Sequence, residues 1–243
     1  MRILVINPNT SEEMTQDIDR EARQYAGADT ELETVCPSWG PRSIEGHYEE
    51  ELATVAMLEV INEQAADHDG VVIACYGDPG LGAARELSPV PVVGIAEASM
   101  LTACTVAHSF SIVTVLPRVK PLLENTVRLH GLEARCASIR TTPLSVLDCE
   151  RDPEAAGREI VRAARLAIDE DGAEAICLGC AGMGPLDKAV QDEIGVPVLD
   201  GTACAVKLLE GIVDYGLFTS RVAAYKEPEP KEFVDYPSGT VTA

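Results

Sequence analysis

Short runs of apolar, often β-branched residues alternate along the chain with longer segments in which apolar residues recur every three or four positions. This alternation predicts βα units with a parallel sheet, because short apolar runs bounded by turn residues are typical of buried strands. Eight strands are predicted, at Ile3–Ile6, Leu32–Cys36, Val71–Cys75, Val92–Ile95, Ser111–Leu116, Ala134–Ile139, Ala175–Leu178 and Val196–Leu199. The predicted helices are Ser11–Tyr25, Glu49–Ala66, Gly80–Leu87, Glu97–Ala107, Lys120–His130, Pro153–Asp169, Pro185–Ile194 and Thr202–Tyr215.

The chain also repeats itself at long range. Val90-Pro91 and Val196-Pro197 each lead into a strand that is followed by an alanine-rich helix, and nearly the same interval separates Cys75 from Cys180. A repeat of this kind indicates two copies of one α/β unit. We therefore expect two pseudosymmetric domains, each a four-stranded parallel sheet flanked by helices. The expected division is 1–97 plus 205–225 for the first domain, 98–204 for the second, and an extended tail at 226–243.

Cys75 and Cys180 each end the apolar run of the third predicted strand in their half. Ligands of open parallel sheets bind beyond the carboxyl ends of the strands, where helix amino termini also lie. If the two halves face each other, both sulfur atoms therefore point into one cleft from opposite sides.

Two facing thiols suit proton transfer at a carbon acid. One thiolate removes a proton from one face of the carbon, and the opposite thiol returns a proton to the other face, which inverts the stereocentre. An unperturbed cysteine has a pKa of about 8.5, so one thiolate and one thiol are expected to coexist near neutral pH. This chemistry requires neither a metal nor a cofactor.

The amino-acid composition limits the classes of molecule that the protein is expected to bind. The formal charge of −21 argues against nucleic acid and against an anionic membrane surface, both of which need cationic side chains. Only five residues are lysine, and so acidic a surface favours a salt-rich cytoplasm. No stretch has the length of a membrane span, the first residues do not resemble a signal peptide, and the eight cysteines are expected to be free thiols of a cytoplasmic protein.

Five blocks of sequence, in order, resemble the aspartate/glutamate/hydantoin racemase family, and within it the hydantoin and allantoin racemases. The resemblance spans about residues 2 to 217. The blocks are Asn7-Pro8-Asn9-Thr10-Ser11, Gly40-Pro41-Arg42-Ser43-Ile44-Glu45-Gly46, Cys75-Tyr76-Gly77-Asp78-Pro79-Gly80-Leu81, Gly94-Ile95-Ala96-Glu97-Ala98 and Leu178-Gly179-Cys180-Ala181-Gly182-Met183.

The resemblance implies cofactor-independent racemisation of 5-monosubstituted hydantoins, possibly including allantoin, by a homo-oligomer. It assigns the catalytic roles to Cys75 and Cys180. The substrate-binding residues that it implies are Asn9, Ser43 and Thr114 together with the backbone after each cysteine, at Gly77, Asp78, Ala181, Gly182 and Met183. The hydantoin ring is neutral, so it needs no strong charged clamp from the protein.

Other interpretations of the same residues stay open. Cys177 and Cys180 have the spacing of a zinc or redox pair, although the four histidines are scattered singly. Asp78 either tunes the neighbouring thiol or caps the helix that follows it. A maleate isomerase or an arylmalonate decarboxylase of the same fold is the nearest alternative function. A non-catalytic small-molecule binding protein is the alternative from another class.

Overall fold

The computed structural model describes residues 1–232, with the backbone alone at positions 147, 150, 184 and 185. Within that range the chain forms eight strands and nine α-helices. The strands are β1 (Arg2–Ile6), β2 (Glu31–Val35), β3 (Gly70–Ile73), β4 (Val92–Gly94), β5 (Phe110–Thr114), β6 (Cys136–Thr141), β7 (Ala175–Leu178) and β8 (Val198–Leu199). The helices are α1 (Glu12–Tyr25), α2 (His47–Gln64), α3 (Leu81–Leu87), α4 (Ile95–Val106), α5 (Lys120–Leu129), α6 (Val146–Arg151), α7 (Pro153–Asp171), α8 (Asp187–Ile194) and α9 (Gly201–Asp214).

The strands form two parallel sheets of the same topology. The first has the order β2-β1-β3-β4 and the second the order β6-β5-β7-β8. The duplication and the α/β class expected from the sequence are therefore confirmed. Because the central strands of each sheet are buried on both faces, they are continuous apolar runs rather than alternating ones.

Side chains of β1 alternate between two apolar clusters, as the two-residue period of a strand requires. Ile3 and Val5 belong to a large cluster that extends through both halves of the molecule. Leu4 and Ile6 belong to a smaller cluster on the other face of the first sheet, with residues of α2 and α3. The two sheets therefore share one continuous core.

Helices α4 and α9 pack against each other where the halves meet. α4 contacts strands of both sheets, whereas α9, after the last strand, returns to β3 and β4 of the first sheet. The predicted division, in which residues 205–225 belong with the first domain, stays a prediction. No helix in the described part of the chain combines the length and apolar character needed to cross a bilayer.

Several helix starts are explained by their capping residues. Ser11 accepts a hydrogen bond from the Met14 amide at 3.2 Å, and Asp152 accepts one from the Ala155 amide at 3.0 Å. Such caps satisfy amides that have no partner inside the helix. Asp152 is followed by proline at the first helical position, as the sequence predicts.

The segment after Phe218 has no helix or strand up to residue 232. Arg221 nevertheless attaches it to the end of α3, by donating to the backbone carbonyls of Arg85, Glu86 and Ser88. Residues 221–225 are therefore held more firmly than a loose tail would be. Of the predicted extended tail at 226–243, positions 233–243 lie outside the described residues.

Candidate active site

Cys75 and Cys180 occupy equivalent positions in the two halves. Each lies two residues beyond the carboxyl end of its strand, β3 for Cys75 and β7 for Cys180. Both side chains line one cavity of about 60 Å³ at the junction of the halves. The structure thus brings the two thiols together, and a charge on Cys180 raises the pKa of Cys75.

Burial raises the pKa of the Cys75 thiol to about 12. The Gly77 amide, which donates a hydrogen bond to the sulfur, opposes this rise, whereas negative charge at Cys180, Glu50 and Asp78 adds to it. The closed cavity therefore favours the neutral thiol at Cys75. The expectation that one of the two cysteines is a thiolate near neutral pH stays a prediction, and burial opposes that role for Cys75 in the absence of substrate.

Thr114 fixes the backbone next to Cys180. Its hydroxyl donates to the Gly179 carbonyl at 2.8 Å, and a Cβ added at Gly179 would lie 2.7 Å from the Thr114 Cβ. Residue 179 is therefore glycine because the second half packs backbone directly against this side chain. Thr114 itself lines the cavity.

Asn9 lines the cavity from the loop between β1 and α1. Its side-chain oxygen accepts hydrogen bonds from the Asn7 side-chain amide at 2.9 Å and from the Ser11 backbone amide at 2.8 Å. Its NH₂ group donates to the Met14 sulfur at 3.2 Å, and a thioether is a weak acceptor. The donor end of Asn9 is thus oriented by the protein and still has capacity for a substrate oxygen.

Among the other predicted substrate-binding residues, Gly77 and Ala181 line the cavity, and four do not. Ser43 is half-buried in the loop before α2, where its neighbour Ile44 faces the cavity instead. Met183 is fully buried, and its amide donates to the Cys180 carbonyl at 3.1 Å. A Cβ added at Gly182 would lie 3.9 Å from the Cys180 sulfur, so this glycine backs the thiol without lining the cavity.

Asp78 also lies outside the cavity lining. Its negative charge raises the pKa of Cys75, so it tunes the neighbouring thiol as one interpretation expected, but the helix that it caps is not the next one. Its carboxylate accepts hydrogen bonds from the amides of Ala96 and Glu97 at 2.9 and 2.7 Å, so it caps α4. The helix that directly follows it, α3, begins after Gly80 with no side-chain cap. Asp78 has a φ of 47°, in the left-handed region that non-glycine residues rarely adopt.

A buried polar cluster joins the halves behind the cysteines. Tyr76, the residue after Cys75, places its hydroxyl 2.8 Å from the Ser99 hydroxyl. The same tyrosine is a hydrogen-bond partner of Cys177 on β7, and burial raises the pKa of both groups far above their ordinary values. Cys177 therefore faces Tyr76 rather than Cys180, and all eight cysteines are free thiols.

Sequence reasoning missed most of the cavity wall. Glu50 on α2 faces the cavity, although the run of glutamates at the start of this helix is typical of a solvent-exposed face. The apolar lining side chains that were not predicted are Met14, Ile44, Val115, Val119, Leu122, Leu123 and Val146. Trp39, the single tryptophan, donates to Glu59 at 2.8 Å and does not line the cavity.

Other features of the described residues do not compete with this site. A surface groove of about 580 Å³ lies between α1 and the edge strand β2. It is lined largely by charged and polar side chains such as Arg2, Asp19 and Glu33, and it contains neither cysteine of the pair. Residues 1–232 contain no group of three or more histidine, cysteine or acidic side chains placed to hold a metal ion.

Comparison with known proteins places the chain among racemases. A family model described as Asp/Glu/Hydantoin racemase matches residues 3–209. A hydantoin racemase of Pseudomonas sp. (strain NS671) is 49% identical, covering 96% of this chain and 94% of its own. The solved structure of an allantoin racemase from Klebsiella pneumoniae is 45% identical with a TM-score of 0.93, covering 96% of both chains.

A second allantoin racemase structure, from Pseudomonas fluorescens, is 44% identical with a TM-score of 0.94, and covers 96% of this chain and 100% of its own. The family inferred from the five sequence blocks is therefore confirmed, as are the two-sheet fold and the isomerase class. The chain belongs to the Asp/Glu/hydantoin racemase family.

Proposed function

We propose that the protein racemises 5-monosubstituted hydantoins without a cofactor, using Cys75 and Cys180 as the two proton-transfer groups. The observation that carries the proposal is the placement of both thiols in one small cavity, at equivalent positions of opposite halves. The relatives named hydantoin and allantoin racemase support the choice of substrate.

In the proposed reaction the thiolate of one cysteine removes the proton from C5 of the ring. The electron pair moves into the adjacent carbonyl, so an enolate forms, and the thiol of the other cysteine then protonates C5 from the opposite face. After one turnover, the cysteine that began as the thiolate is a thiol, and the cysteine that began as the thiol is a thiolate. The reverse reaction uses the same two groups with their roles exchanged, so no external reagent is consumed.

The enolate oxygen needs hydrogen-bond donors that are in place before the proton moves. The Asn9 NH₂ group is one candidate, because its orientation is fixed by the two bonds to its oxygen. The amide of Ala181 is another, since Ala181 lines the cavity and begins a short 3₁₀ helix, and the first amides of a helix have no partner within it.

The alternative reactions of this fold fit the cavity less well. Maleate and arylmalonates carry two carboxylates, and their binding needs cationic side chains. None of the described residues that line the cavity is lysine or arginine, and Glu50 would repel both substrates. A non-catalytic binding role leaves the matched thiols without a purpose.

Single enantiomers of 5-isopropylhydantoin, incubated with the protein in deuterated water, test the proposal. Optical rotation should decay to zero while one deuteron enters C5 of each inverted molecule. Unchanged rotation and no exchange with any hydantoin would contradict the proposal, and turnover of maleate would replace it with the isomerase.

The cytoplasmic location, the self-association and the salt-rich habitat are further proposals that rest on the sequence. The charge of −21 supports the last of them, because salt screens the repulsion among surface carboxylates. Sedimentation and activity, measured from 0.1 to 3 M KCl, test the self-association and the salt-rich habitat. A monomer would contradict the self-association, and activity that does not depend on salt would contradict the salt-rich habitat.

A further inference from the structure

The cavity at the two thiols meets a larger open groove of about 460 Å³ on the surface. Three residues line both spaces, namely Glu50, Gly77 and Leu122. Glu50 belongs to α2 of the first half and Leu122 to α5 of the second, so the boundary lies between the halves. The Thr126 hydroxyl on α5 of the second half donates to the Gly77 carbonyl of the first half at 3.3 Å, so a hydrogen bond joins the two halves at this boundary.

The cavity and the groove differ in size, so each suits a different part of a substrate. The cavity, about 60 Å³, has room for a few water molecules, so it is too small to take a ring together with its substituent, and the groove is the space left for the substituent. A ring held with C5 between the sulfur atoms therefore fills it, and the substituent on C5 extends toward the groove. That path leads past Glu50.

Glu50 is well positioned to contact such a substituent. Its side chain is 16% exposed, and a Cβ added at Gly77 would lie 2.6 Å from its Oε1, so the carboxylate packs on the backbone beside Cys75. Its charged contact is a 3.8 Å approach of Oε2 to His47 Nδ1. That distance is longer than a hydrogen bond, so both oxygens keep acceptor capacity.

The surrounding wall makes the chemistry at this point selective. On the cavity side of Glu50, Ile44, Leu122, Leu123 and Val146 supply apolar surface, and on the groove side the lining includes Thr54, Asn125 and Thr126. A carboxylate that loses water to an alkyl substituent gains nothing in return, and that desolvation is costly. A substituent with two parallel N–H groups would instead satisfy both oxygens, as a guanidinium fork does.

We infer that Glu50 determines specificity, by selecting hydantoins whose 5-substituent presents a pair of N–H donors, such as a ureido group, over those with an alkyl substituent. This inference rests on the proposed function, because it assumes that the ring occupies the cavity between the thiols. Allantoin carries the ureido group, and 5-isopropylhydantoin carries an alkyl group of similar width.

The test compares kcat/KM for single enantiomers of these two compounds, corrected for spontaneous racemisation. The proteins are the wild type, Glu50→Gln, Glu50→Leu and the control Glu63→Gln, whose side chain is exposed on the same helix and lines neither space. Circular dichroism and thermal melting establish that each variant is folded. If Glu50→Leu does not fold, the kcat/KM ratio of Glu50→Gln, which keeps the shape of the side chain, tests the inference.

Wild type is expected to prefer allantoin. Glu50→Gln should lower the allantoin-to-isopropyl ratio about tenfold, and Glu50→Leu about 100-fold, as expected when a hydrogen-bonding site loses its acceptors. Turnover of 5-isopropylhydantoin should stay equal or rise, since removing the negative charge lowers the pKa of Cys75. Glu63→Gln should leave the ratio unchanged.

A wild type that prefers 5-isopropylhydantoin, or a ratio that stays within threefold in Glu50→Gln and Glu50→Leu, would overturn the inference while leaving the proposed function intact. Equal losses on both substrates would also overturn it, because Glu50 would then act on the ring or on the fold. If wild type racemises neither compound, the proposed function fails, and the inference fails with it.

Discussion

Asp78 occupies the space into which a side chain at Gly94 would project. A Cβ at position 94 would lie 2.2 Å from the Asp78 carboxyl carbon, and the carboxylate caps the helix that begins at residue 95. The turn that carries Cys75 is therefore attached to α4, the helix that contacts both sheets. His130 of the second half approaches the same carboxylate, with Nε2 3.7 Å from Oδ2.

Asp78→Asn should keep the left-handed backbone but weaken this cap. We expect it to lower the free energy of unfolding by about 1 kcal/mol and to reduce kcat several-fold, because the Gly77 amide beside Cys75 loses its anchor. The matched control is Asp152→Asn, a cap of α7 that does not line the cavity. An equal loss of kcat in both variants would contradict the positioning role.

The hydroxyl of Tyr76 should matter for activity even though its partners, Ser99 and Cys177, do not line the cavity. Tyr76→Phe removes the hydrogen bond to Ser99 and the one shared with Cys177, so we expect a loss of about 1 kcal/mol in unfolding free energy and a lower kcat with KM unchanged. Denaturant unfolding and steady-state kinetics measure both. A variant that is less stable but fully active would show that the cluster only supports the fold.

The reactivity of Cys75 should rise with pH well beyond the range of an ordinary thiol. Burial raises its pKa to about 12, and the thiolate is the reactive form. Alkylation of Cys75 by iodoacetamide, followed by mass spectrometry of its peptide, should increase about tenfold per pH unit from 8 to 10. Glutathione in the same tube should level off near pH 9; a plateau for Cys75 at that pH would contradict the raised pKa.

A buried acidic cluster at the junction of α1, α8 and α9 should make stability depend on pH. Burial raises the pKa of Glu21 to about 7 and that of Asp200 to about 6, with added repulsion from Asp187 and partial relief from Lys188. Because both values exceed those of the unfolded chain, this stabilising contribution is complete below about pH 4 and is lost as the pH rises through 7.

Glu21→Gln should therefore raise Tm at pH 8 by about 2–4 °C relative to wild type, with a smaller difference at pH 5. Glu13→Gln on the same helix is exposed and serves as the control. Differential scanning calorimetry across this pH range measures the effect. A Tm difference that does not change with pH would show that repulsion among these carboxyls is not its cause.

Much of the fold follows from local patterns, because each central strand is an apolar run and each long helix has a regular period. β6 and β8 begin two residues later than predicted, and α6 was missed. The helix has six residues, and its start depends on tertiary contacts as well as on its own cap: the Val146 amide donates to Glu45 from the other half at 3.2 Å. No local pattern reports such a contact.

The cysteine pair could be found from sequence because duplication leaves a repeated signal. Asp78 was misassigned because capping rules consider the next helix, whereas its partner α4 lies across the sheet, where β3 and β4 are neighbours. Glu50 was missed because only the packing of α2 against Gly77 turns it toward the cavity. Both residues depend on contacts between elements, which periodicity does not describe.

The most direct measurement is proton exchange at C5 in Cys75→Ser and Cys180→Ser, each given single enantiomers of 5-isopropylhydantoin in deuterated water. Cys136→Ser, which changes a thiol outside the cavity, is the control. Each single variant should lose inversion by about 1,000-fold or more, and the two should retain exchange, if any, with opposite enantiomers. Inversion near the wild-type rate in either variant, or exchange of the same enantiomer by both, would contradict a two-sided reaction between these thiols.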